Sequence, residues 1–139
     1  MLKSILALLL VAALFLLAAP LGAHHSFAAE YDSKKPIEFK GTVTKVEWMN
    51  PHIYYYVDVK AKDGTVINYA VEGGTPNSLR RQGWGKDSLR IGDAVTVSGY
   101  MARNGSNHIN GRSVLLPDGK RVFGGSSDDG GPGLESYKQ

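Results

Sequence analysis

Alternating apolar and polar residues from Ile37, a β-branched and aromatic run over 53–59, and three Asp/Asn-Gly turns predict an all-β protein. In the first run Ile37, Phe39, Gly41 and Val43 share one face, with Glu38, Lys40 and Thr42 opposite. The phase has slipped by Val46 and Trp48, which a β-bulge near Thr44-Lys45 explains. A long, bent first strand suits a small closed barrel in which one strand serves two sides. The second strand puts Ile53, Tyr55, Val57 and Val59 on one face and Tyr54, Tyr56 and Asp58 on the other. Asp63-Gly64 then makes a hairpin turn. A third strand runs over Val66–Glu72, and Gly73-Gly74 breaks it. Thr75 can cap a short helix, Pro76 suits its first position, and Gly83 stops it. A fourth strand follows at Ala94–Ala102. Asn104-Gly105 turns the chain into a fifth at about 110–116, and Asp118-Gly119 leads to a stub at Arg121–Phe123. Three strands, a helix, two strands and a stub is the order of a small OB-like five-stranded antiparallel barrel with one short helix between strands three and four.

The chain has 139 residues, 42% of them hydrophobic and 21% charged, which fits one folded domain and excludes global disorder. Residues 1–23 have the plan of a secretory signal peptide: a positive Lys3, an apolar run over 5–19, then Pro20 and the small residues Gly22 and Ala23. The run is about 15 residues, short of the roughly 20 that span a bilayer as a helix. Cleavage after Ala23 leaves His24 first. Cleavage after Gly22 leaves Ala23-His24-His25, and cleavage after Ala28 discards both histidines. The remaining organisation reads as a polar lead-in (24–36), the barrel domain (37–123) and a Gly/Ser/Asp-rich flexible tail (124–139). The expected location is periplasmic or secreted, with no membrane span after cleavage. The chain has no cysteine, which excludes disulfides, thiolate metal sites and a thiol nucleophile. A formal charge of +3 is too small to argue for nucleic acid.

Several words of the sequence are distinctive: His24-His25-Ser26-Phe27-Ala28-Ala29-Glu30-Tyr31-Asp32, Gly41-Thr42-Val43, Trp48-Met49-Asn50-Pro51-His52, Val71-Glu72-Gly73-Gly74, Pro76-Asn77, Gly83-Trp84, and Gly92-Asp93 before Val95-Thr96-Val97. With these words the protein resembles a bacterial family of exported proteins, domain of unknown function 6152, and the resemblance covers nearly all of the mature chain, from about His24 to Phe123. The resemblance implies export from a bacterial cytoplasm. It brings no activity and no catalytic residue, and His108 lies outside its words.

Chemistry is therefore sought in the residues themselves. A new terminus at His24 offers an α-amine and an imidazole, with ordinary pKa values near ~8 and ~6.5, to one metal ion. His25 or His52 could add a third nitrogen. An all-nitrogen set suits Cu(II), which heads the divalent series. The expected metal ligands are thus His24, His25 and His52. The bland alternative has the first two as polar residues beside a cleavage site and His52 bonded to a loop carbonyl. Tyr54 and Tyr56, with Trp48 and Trp84, could instead offer an aromatic face to a small ligand or an envelope partner. The competing reading puts both tryptophans, Tyr55 and Tyr69 in the core. No nucleophile elbow, zinc-protease or phosphate-loop pattern is present, so the sequence predicts a binding protein and no enzyme.

Overall fold

The computed structural model of the protein describes residues 27–125. The segment 1–23 expected to be an export signal, His24, His25 and the residues beyond Gly125 lie outside the described residues. The described residues are mostly β, with six strands and little helix: α1 (Phe27–Glu30), β1 (Tyr31–Glu47), β2 (Tyr54–Lys60), β3 (Val66–Glu72), α2 (Pro76–Arg81), β4 (Ala94–Ala102), β5 (His108–Leu115) and β6 (Arg121–Phe123). The sheet order is β3-β2-β1-β4-β5-β6. Neighbours pair antiparallel, and β3 also pairs parallel with β5 through Ala70↔His108, Val71↔Ile109 and Glu72↔Asn110.

Strand β1 serves two neighbours in turn. Pro36 to Thr42 pair with β4, and Thr42 to Glu47 pair with β2. The register shifts between Val43 and Lys45, where the slip in hydrophobic phase predicts a bulge. Alternation sends Val43, Tyr55, Val57, Val71, Val95, Val97, Ile109 and Val114 into one core cluster. Leu79 of α2, with Trp84 and Leu89 after it, completes that cluster. The helix stands where the sequence puts it because Thr75 accepts a hydrogen bond from the Ser78 amide at 3.2 Å and Pro76 occupies the first turn.

Both ends of the domain reach further than the sequence reading has them. The first strand starts at Tyr31 and not Ile37, and a helical turn precedes it. Tyr31 pairs with Ala102, and the register then slips before Pro36 pairs with Tyr100. The polar stretch 32–35 falls in that irregularity, so no alternation marks the early start. Phe27 and Tyr31 are each only 4% exposed and form a second small cluster with Tyr100 and Ala102. The Phe27 ring meets Tyr100 edge-on at 5.4 Å and has the Arg112 guanidinium 5.0 Å over it. At the other end Gly124 and Gly125 are buried. The Gly74 amide donates to the Gly124 carbonyl, and a Cβ on Gly74 would come within 2.9 Å of the Gly125 carbonyl. That close approach needs glycine at position 74.

Candidate functional site

The second cluster lies on the sheet face opposite the main core. Val71 and Ile109 point into the main cluster, so the residues after them, Glu72 and Asn110, point the other way. The N-terminal arm crosses that face. Its Phe27 and Tyr31 cover a carboxylate that would otherwise meet water, and Glu72 is 7% exposed. A buried carboxylate is costly unless hydrogen bonds satisfy it. The Tyr31 hydroxyl donates to Glu72 Oε2. His52 Nδ1 lies 2.5 Å from Glu72 Oε1. A carboxylate oxygen at that place accepts from the imidazole tautomer whose proton is on Nδ1, and that tautomer leaves the second ring nitrogen, Nε2, for another partner. The His52 side chain is 22% exposed, enough to meet something outside the fold. A carboxylate that holds one imidazole nitrogen and aims the other is the arrangement that orients metal-ligating histidines.

Tyr54 stands at the same place. It pairs with Glu72 across β2 and β3. Burial, the negative charge of Glu72 and a hydrogen bond to it push the Tyr54 phenol up to about 12, with Glu30 adding to the effect. Burial first, then the Glu72 hydrogen bond, pushes Tyr31 up still more strongly. Both phenols are thus held neutral as donors around one carboxylate.

The sign of the resulting pH dependence is fixed. Above the ordinary tyrosine value of 10.0 the unfolded chain loses a proton that folded Tyr54 keeps until about 12. The unfolded state then binds fewer protons, so stability is full below pH 10 and falls as pH rises through 12. Alkaline titration of the tyrosinate absorbance is expected to show a step near 12 that Tyr54→Phe removes and Glu72→Gln moves down.

The other residues singled out by sequence have different surroundings. Tyr56 donates to Glu47 Oε2 at 2.9 Å, and its ring lies 5.0 Å under Lys45 Nζ. Trp84 is 4% exposed in the core, and Trp48 packs against the core. Both indole N–H groups are buried without a hydrogen-bond partner among the described residues, Trp84 lying in the core and Trp48 being half-buried. His108 opens β5, away from His52 in the sheet, and lines a cleft with Glu30 and Arg103. His24 and His25 fall outside the described residues. Among the described residues no group of three or more His, Cys, Asp or Glu could hold a metal, and no helix is long and apolar enough to cross a membrane.

Sequence reasoning missed the role of Tyr31 and Glu72. Glu72 reads there only as the end of the third strand, and Tyr31 as part of a polar lead-in. A signal was present nonetheless. Tyr31, His52 and Glu72 belong to three separate words of the family resemblance, and the fold brings those words to one point.

A family model described as a family of unknown function, DUF6152, matches residues 12–111. No curated protein and no solved structure matches the chain.

Proposed function

We propose, on the premise that the chain belongs to the DUF6152 family of unknown function, that it is an exported, non-catalytic binding protein for Cu(II) or a similar divalent metal. The ligands in this reading are His52 and the N-terminal histidines His24 and His25, and the place of work is the periplasm or the exterior. The observation that carries the reading is the Glu72 carboxylate on His52 Nδ1, at 2.5 Å, which fixes the ring and leaves Nε2 to coordinate. A single described histidine does not make a site, so the reading needs the histidines upstream. The anchoring of Phe27 and Tyr31 on the same face as Glu72 supports their participation. Only Ser26 separates His25 from Phe27, a reach of at most about 7 Å. A nitrogen-rich set of this kind favours Cu(II) over calcium or magnesium.

The scaffold in this reading is an OB-like barrel. Its support is that the pairings run from β1 through β2, β3, β5 and β4 back to β1. The alternative, an envelope module that binds a partner or small ligand on an aromatic face, has less behind it. Trp84 is buried and Tyr56 is engaged by Glu47 and Lys45.

Calorimetric titration of the exported protein with Cu(II) tests the metal reading. His52→Ala and His24→Ala are each expected to weaken binding by at least ~10-fold, and Glu72→Gln by about 10-fold through the orientation of His52. Binding that is unchanged in all three, or an exported protein whose first residue is Ala29, would overturn it.

A further inference from the structure

The loop between β1 and β2 carries a second kind of metal donor, a thioether. Glu47 pairs with Tyr54, so residues 48–53 close this hairpin. Counting inward from that pair sets Trp48 opposite Ile53 and Met49 opposite His52. The first of these two pairs turns inward: Ile53 is in the main core, and Trp48 packs against it. Side chains alternate along extended chain, so Met49 and His52 turn the other way. Their surroundings agree. His52 meets Glu72 on the face away from the main core, and the Met49 side chain stands in solvent at 48% exposure. The chain bends at Asn50 and Pro51. A four-residue reversal brings its end Cα atoms within about 7 Å of each other. Methionine is long, unbranched and free to rotate about three bonds, so its sulfur can cross such a gap.

Two donors of different character thus share one side of one loop. His52 offers Nε2, because Glu72 takes up Nδ1. Met49 offers Sδ, and nothing in the main core claims it. Imidazole nitrogen serves several transition metals, so His52 alone selects little. A thioether is soft and uncharged. It adds almost nothing for calcium, magnesium or zinc, and it favours Cu(I). A nitrogen and a sulfur from one tight loop therefore discriminate by oxidation state in a way that an all-nitrogen set does not.

We propose that Met49 Sδ and His52 Nε2 together form a site for a soft monovalent metal ion, Cu(I). The site rests on the proposed metal-facing role of His52, and it needs neither His24 nor His25. The ion enters and leaves as Cu(I), with no change of oxidation state.

The test is an NMR titration of the chain that begins at His24, labelled at its methionine methyl groups, with Ag(I) in chloride-free buffer. Ag(I) is a soft ion of the same charge that needs no reductant. The Met49 methyl resonance, identified by its loss in Met49→Leu, is expected to shift and saturate. The Met101 methyl, packed against the core, should stay in place. Met49→Leu keeps an exposed apolar side chain and leaves the fold intact, and it should weaken Ag(I) binding at least ~10-fold. His52→Ala should weaken it by a similar factor, whereas His24→Ala should leave the Met49 response unchanged. Calorimetry with Cu(II) separates this site from the Cu(II) reading, because Met49→Leu should bind Cu(II) as the unmodified chain does. A saturable Met49 shift with no Cu(II) binding would remove the Cu(II) reading and leave this site standing. The proposal is overturned if the Met49 methyl does not move, even where Cu(II) binds. It is also overturned if Met49→Leu binds Ag(I) as tightly as the unmodified chain, or if the Met49 methyl shifts identically in His52→Ala.

Discussion

Replacing Glu72 with leucine is expected to destabilise the protein by about 3 kcal/mol, the scale of stranding buried hydrogen-bonding groups. The reason is what the change leaves behind. Tyr31 keeps a hydroxyl at a site that is 4% exposed, and His52 loses the carboxylate beside its Nδ1. Each stranded donor costs about 1–3 kcal/mol of unrecovered desolvation. For a domain of this size, 3 kcal/mol corresponds to a melting point lower by more than about 10 °C. The double variant Glu72→Leu/Tyr31→Phe should recover part of that loss, because removing both partners of a hydrogen bond is much cheaper than removing one. Denaturant unfolding of the two single variants and the double gives the coupling directly. A coupling below about 0.5 kcal/mol would mean that the Tyr31–Glu72 contact contributes nothing specific.

Gly99→Ala is expected to cost a similar amount, about 3 kcal/mol, for a different reason. The β4–β5 register shifts between Ser98 and Gly99, and there the two backbones close. A Cβ at Gly99 would lie 2.3 Å from the Asn110 carbonyl oxygen and 2.8 Å from Ile109 Cγ2. Backbone cannot turn aside as a flexible side chain can, so the strands must separate or the bulge must move. Gly41 is under the same constraint, with a Cβ 2.4 Å from the Asp58 carbonyl oxygen. The matched control is Gly85→Ala, where a Cβ meets nothing within 4 Å and the backbone is unstrained. That substitution should leave stability within about 0.5 kcal/mol. Equal unfolding midpoints for Gly99→Ala and Gly85→Ala would show that the close approach is not limiting.

Much of the fold is legible in the sequence because its signals are local. Period-two alternation marks β2 and β3, the lost phase marks the bulge between Val43 and Lys45, and Thr75-Pro76 marks the start of α2. The arm is not legible, because residues 32–35 bow out of the ladder and break the alternation that would announce β1. Phe27 and Tyr31 become core only through tertiary contact with Tyr100 and Arg112, which no window of sequence contains. The site has the same limit. Periodicity places His52 and Glu72 at strand ends, but Tyr31 and Glu72 stand 41 positions apart, and only the crossing of the arm joins them. Indoles suggest a binding surface by composition, whereas burial assigns Trp84 to the core and leaves Trp48 packed against it.

The central claim is that Glu72 holds His52 by Nδ1 so that Nε2 faces a metal. Electron spin-echo envelope modulation of the Cu(II)-loaded protein that begins at His24 reads the remote nitrogen of a bound imidazole and the hydrogen bond it makes. The expected result is a remote-nitrogen signal that His52→Ala removes in part and Glu72→Gln shifts, while His24→Ala removes a different part. Identical modulation in the unmodified protein, His52→Ala and Glu72→Gln would contradict it, and would leave the buried carboxylate as a structural device that fastens the arm.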